Sequence, residues 1–153
     1  MPQEEEFYAY RRRLPHWRME GATYFITWRL DEKQSKLTPD ERSLVQAALR
    51  HFDGERYELL AYVVMDDHVH ALINPLGGHR LQDIVHSWKS FTARVLQRTS
   101  GRQGRVWQDE YFDRIVRDEA EYIEKATYIL NNPWKRWPGI ADYPWVKVPS
   151  AGS

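Results

Sequence analysis

The sequence predicts one α+β domain over residues 1–153, of the ferredoxin-like β-α-β-β-α-β type. It would have a four-stranded antiparallel sheet and one additional C-terminal helix. Three observations predict it. Alternating runs rich in β-branched and aromatic residues recur at 22–30, 57–65, 68–73 and within 106–116. Apolar stripes of helical period separate the first run from the second and the third from the fourth, and another follows the last. The 153 residues are 42% hydrophobic and 29% charged, an ordinary globular mix with enough chain for a core.

Each element has its own justification. Residues 1–20 carry opposite charge blocks, Glu4–Glu6 and Arg11–Arg13, and read as an arm. ATYFITWRL, 22–30, alternates as a strand. Thr38-Pro39-Asp40-Glu41 is a helix start: Thr38 caps, Pro39 fits the first position and Glu41 completes a capping box. Leu44, Val45, Ala48, Leu49 and Phe52 then make one apolar stripe. Residues 57–65 and 68–73 form a hairpin across the turn Asp66-Asp67. Leu81, Ile84, Val85, Trp88, Phe91 and Val95 place a core-facing helix at 81–97. Asp118 or Glu119 starts the last helix, and Asn132-Pro133 is expected to stop it near Asn131. From Trp134 onward the chain is aromatic and proline-rich, and reads as packed coil to 153.

Composition excludes several classes. Lys+Arg and Asp+Glu are both 22, so no global field advertises a nucleic-acid partner and any such partner needs a local patch. There is no cysteine, which removes disulfides and thiolate chemistry and fits a reducing cytoplasm. No run is apolar enough to span a membrane, and the first residues lack the apolar core of an export signal. Between Arg80 and Arg105 there are six Lys/Arg against one acid, Asp83. Lys89, Arg94, Arg98, Arg102 and Arg105 from this stretch, with Arg11, Arg12 and Arg13 from the arm, are the candidate phosphate contacts. The plainer account of Arg94 and Arg98 is cations at a helix C-terminus. Trp107 and Tyr111 could stack a base, although Trp107 reads first as core.

The chemistry concentrates in YVVMDDHVHALIN, 62–74. His68 and His70 are two apart in a strand, so both imidazoles emerge on one face. That pair is either two satisfied histidines or the start of a metal site. Imidazole suits zinc, copper, iron and nickel, and mixed sites hold manganese or magnesium. On the last helix Tyr128 falls off the apolar stripe of Tyr122, Ile123, Ala126, Ile129 and Leu130, and Asn132 lies one turn along. If that helix meets the histidines, Asn132 could be a third ligand. Tyr128 would then point at a polarised phosphodiester, which a phenol can attack to give a covalent phosphotyrosine.

At this point the chain resembles the single-tyrosine HUH transposases, and most nearly the REP-associated tyrosine transposases of bacteria. The resemblance runs through RRRLPHW, GATYFITWRL, VVMDDHVHALI, HSWKSFTARV, GRVWQDEYFDRIVRDE and YILNNPWKRW. It implies a nuclease and strand transferase that needs a divalent metal, Mg²⁺ or Mn²⁺, and acts on single-stranded DNA near short hairpins. It implies His68 and His70 as ligands, Asn132 as the third, and Tyr128 as the nucleophile forming a 5′-phosphotyrosine. Where relatives tend to have proline before the small polar residue preceding the first histidine, this chain has Asp66, which could add a carboxylate near the metal or alter the turn. REP-associated members are expected to act as monomers, while related transposases form homodimers that exchange tyrosines. The rivals are a domesticated hairpin-binding module and a hydrolase that uses water as nucleophile.

Overall fold

The computed structural model describes residues 21–149. The expected element order β-α-β-β-α-β is present. It comprises β1 (Thr23–Leu30), α1 (Pro39–His51), β2 (Tyr57–Val64), β3 (His68–Pro75), α2 (Leu81–Ser100) and β4 (Trp107–Val116), followed by α3 (Glu119–Arg136) and β5 (Val146–Lys147). The arm, with Arg11, Arg12 and Arg13, lies outside the described residues.

The sheet has five strands, not four, in the order β4-β1-β3-β2-β5, all antiparallel. The extra strand comes from the stretch expected to be coil. Val146 and Lys147 pair with Val63 and Tyr62, and Val64 donates its backbone N–H to Trp145. An edge strand presents unpaired backbone groups. Two residues between prolines are too few to show a period, but they are enough to satisfy part of that edge.

Alternation divides the sheet into two faces. Ile26, Trp28 and Leu30 of β1 and Val69, Ala71 and Ile73 of β3 face α1 and α2, as the sequence predicts for both helices. Phe25 and Leu72 face the other way, against Tyr122, Ala126 and Ile129 of α3. A bulge in β2 between Leu59 and Ala61 lets both faces stay apolar along the strand. The tryptophans hold the first face together. Trp28 stacks on Trp88 at 5.5 Å between centroids and meets Trp107 edge-on, and the Trp107 indole N–H donates to Thr92.

Two helix expectations need correction. Phe91 was assigned to the core, but it is half exposed, and Thr92 and Leu96 are buried in its place. Threonine is admitted there because its hydroxyl donates to the Trp88 carbonyl while accepting from Trp107. The last helix does not stop before Pro133 but runs through it to Arg136. Proline costs a helix one backbone bond, and here the loss falls in the final turn. There Pro133 is buried and its carbonyl accepts from the Trp137 N–H. The predicted capping box at Thr38 and Glu41 is present.

Arg102, a candidate phosphate contact, is instead an internal tie. Its guanidinium grips Glu41 through two hydrogen bonds of 2.6 and 2.7 Å and also donates to the carbonyls of Ser35 and Lys36. The Arg102 hydrogen bond, working against burial, brings the Glu41 carboxyl down to about 2. In the unfolded chain Glu41 takes up its proton near 4.5, so the pair stabilises the fold fully above that value and less as pH falls toward 2. Glu41→Gln should therefore cost about 3–5 kcal/mol at neutral pH, as breaking a buried pair does. It should also flatten the acid limb of the stability curve; urea denaturation at a series of pH values checks both.

Candidate functional site

The site is built by register. β3 pairs with β1 so that His70 lies opposite Thr27 and His68 opposite Arg29. β1 in turn pairs with β4, putting Phe112 opposite Thr27. The two imidazoles emerge on the α3 face with ring centroids 4.7 Å apart.

Each imidazole is oriented through Nδ1. The Nδ1 of His68 is 2.6 Å from Oδ1 of Asp67, and a carboxylate only accepts, so that nitrogen carries a proton. The Nδ1 of His70 is 2.7 Å from the Thr27 hydroxyl, while its Nε2 is buried with no hydrogen-bond partner. A proton on Nε2 would be an N–H buried without an acceptor, so the proton belongs on Nδ1. Burial, followed by the charges of His68, Arg29 and Lys125, pulls the His70 pKa down to about 3. Burial alone would raise the Asp67 carboxyl, but hydrogen bonds from His68 and Lys36 and the charge of Arg136 outweigh it and hold Asp67 well below the carboxylate range. A buried His70 with an unpartnered Nε2 and a His68 tied through Nδ1, held from behind by a hydroxyl and a carboxylate, match how metal-binding histidines are commonly supported. Among the described residues no third His, Cys, Asp or Glu completes a ligand set with them.

Tyr128 arrives from α3 in the same chain. Its ring lies 5.2 Å from His70 and 6.1 Å from Phe25, and it is 43% exposed. The apolar stripe explains this position, because Tyr122, Ala126 and Ile129 are buried against the sheet and leave Tyr128 at the margin. Asn132 follows one turn later and is half buried. Tyr128, His70, Lys125 and Phe112 line a cleft of about 630 Å³. The Lys125 ammonium sits 5.1 Å over the Phe25 ring and 3.4 Å from Glu124.

Asp66 is paired within the chain. Its carboxylate is 3.0 Å from Arg136 at the end of α3, and Asp67 is 3.6 Å from the same guanidinium. The turn before the histidines is thus tied to the helix that carries the tyrosine.

The remaining candidates are not gathered here. Lys89 donates to the carbonyls of Gln108 and Asp109, Arg105 pairs with Asp31 and Asp109, and Arg94 donates to Ser90. Arg94 and Arg98 are exposed on α2, which covers the opposite face of the sheet from the histidines. Sequence reasoning missed Thr27, Arg29 and Phe112, because strand pairing between distant segments sets their places. Lys125 carried a signal, since it shares the polar helix face of Tyr128.

The sequence model of IS200-like transposases matches residues 19–132. The chain belongs to that family. Over 130 residues it is 24% identical to the REP-associated tyrosine transposase of Escherichia coli K12, a match covering 83% of this chain and 76% of that protein. The fold matches a REP-associated tyrosine transposase solved bound to a REP hairpin. There the TM-score is 0.68 and the identity 21%, over 86% of this chain and 79% of the other. The α+β architecture of this IS200-like chain is therefore shared with that structure, and no helix among its described residues is long and apolar enough to cross a membrane.

The metal-free protein should show His70 neutral with its proton on Nδ1 and no titration until well below pH 5, read by nitrogen-15 NMR of the rings. A transition near 6.5 would contradict the burial argument.

Proposed function

We propose that this chain is a metal-dependent nuclease and strand transferase that cuts single-stranded DNA beside a short hairpin through a covalent 5′-phosphotyrosine at Tyr128. The observation that carries the proposal is the approach of Tyr128 to His70 within one chain. The REP hairpin in the related structure supports the choice of DNA.

His68 and His70 would hold a Mg²⁺ or Mn²⁺ ion through their Nε2 atoms, with the Asn132 amide as third ligand. The unpartnered, buried Nε2 of His70 fits that role. When bound, the ion would withdraw charge from a phosphodiester and orient it. The chain's own groups do the rest. Tyr128 Oη attacks phosphorus, forming a Tyr–O–P bond as the bond to the 3′ oxygen breaks. The phenol gives up its proton and the departing 3′ oxygen gains one. Lys125, one turn before Tyr128 in the same cleft, favours the phenolate by its charge. The phosphotyrosine keeps the energy of the diester, so another 3′ hydroxyl can reverse the step and join strands. Open coordination positions are what a catalytic site of this kind requires.

The test is a labelled hairpin-bearing single strand with Mn²⁺ or Mg²⁺, run on a denaturing gel. Wild type should give a protein–DNA adduct, absent in Tyr128→Phe and in His70→Ala. Binding without an adduct in wild type would indicate a hairpin-binding module, and cleavage retained by Tyr128→Phe would indicate water as nucleophile.

Because Tyr128 lies beside His70 of its own chain, mixing Tyr128→Phe with His70→Ala should not restore the adduct. Restoration would mean that subunits exchange tyrosines. Metal should raise the melting temperature of wild type and not of His68→Ala or His70→Ala, while His86→Ala, exposed on α2, should respond as wild type does.

A further inference from the structure

One large apolar side chain in the cleft has no part in the core. Phe112 is 56% exposed, the highest value among the large hydrophobic residues left outside the core. It stands on β4, the strand at the end of the sheet order, where exposed charge is the usual protection against edge pairing. Its neighbours follow that rule: Glu110, Asp113 and Arg114 are all exposed. A phenylalanine among them exposes apolar surface and gains little packing.

Its place is fixed by the ladder. His70, Thr27 and Phe112 stand opposite one another on three adjacent strands, on the face that carries Tyr128. Two strand spacings separate Phe112 from His70, roughly 10 Å. A base attached to a phosphate held at the histidines can span that distance. The charges lining the cleft are of both signs. Arg29 and Lys125 attract the DNA backbone, whereas Glu110 and Glu124 repel phosphate and can accept from base amino groups.

We propose that Phe112 is a stacking platform for one nucleobase flanking the bond that Tyr128 attacks, and so a positioning residue for the strand. This rests on the single-stranded DNA reading above. Stacking uses the face that every base has, so Phe112 fixes where the strand lies and leaves its sequence to other contacts.

The experiment uses the full chain and hairpin-bearing single strands with 2-aminopurine walked through the nucleotides beside the hairpin. Wild type should quench the probe at one position on binding. Phe112→Ala should lose that quench and bind roughly 5- to 150-fold more weakly, the range that stacking of one base supplies. Phe112→Trp should restore both. Removing the base at that position should weaken wild type and leave Phe112→Ala unchanged, which a merely structural role would not produce. Equal quench and affinity in wild type and Phe112→Ala would overturn the stacking role, and persistence of the Tyr128-dependent adduct would leave the nuclease reading intact. If wild type binds none of the strands, with or without Mn²⁺, both fall. Because Phe112 is exposed, the variants should melt with wild type, and circular dichroism verifies that the comparison is between folded proteins.

Discussion

A buried imidazole must be neutral, and the surroundings of His70 enforce this. The ring is 3% exposed, stacked against Phe25 with Tyr128 beside it, and burial drives its proton affinity far down. Neutrality leaves one nitrogen protonated and one bare. Thr27 settles which, because only Nδ1 has a partner. His68 has its Nδ1 fixed by another route, through the carboxylate of Asp67. Both rings are therefore held through Nδ1 from unlike environments, and the β1–β3 register is what makes this possible. A slip of one residue would send both rings into the opposite core.

The tyrosine is held by different means. Helix α3 carries its own apolar stripe, which fixes its rotation but not where its end lies along the sheet. Arg136 supplies that second restraint by meeting Asp66 and Asp67 in the turn between β2 and β3. Arg114 of β4 and Glu121 of α3 form a hydrogen-bonded ion pair nearer the start of the helix. Asp67 thus orients His68 and touches Arg136, so one carboxylate links the ring that would bind an ion and the helix that would attack. The passage of the helix through Pro133 matters here, because a helix ending at Asn131 would not bring Arg136 to the turn.

The sequence made local features legible and left distant ones obscure. Alternation placed His68 and His70 on one face, and the departure of Tyr128 from an apolar stripe set it apart, both from neighbours within a turn or two. The capping box at Thr38 was readable for the same reason. In the basic stretch around α2, charge counts do not say what each cation meets. Arg102 meets Glu41 and Lys89 meets backbone carbonyls, partners that fold back from far along the chain. Phe112 was invisible as a site residue for a related reason. On its own strand it sits between Tyr111 and Asp113 with Ile115 also exposed nearby, and only its place beyond Thr27 gives it meaning. Asp66, noticed as a departure, proved to be a tether, which no local rule would have supplied.

The two faces of the sheet divide the work. The α1–α2 face holds the tryptophan cluster, the Tyr57 and Thr92 hydrogen bonds and the Glu41–Arg102 pair, all of them closed off from solvent. The α3 face is only partly covered. The helix buries Tyr122, Ala126 and Ile129 over the β2–β3 side and leaves the β4 side open. That asymmetry is why an exposed phenol, an exposed phenylalanine and an unpartnered imidazole nitrogen can coexist in so small a domain. Each is a local departure from good packing, and the opposite core carries enough of the stability to tolerate them. The same asymmetry leaves the margin between β4 and α3 open, so the geometry that leaves Tyr128 accessible also determines what can reach it.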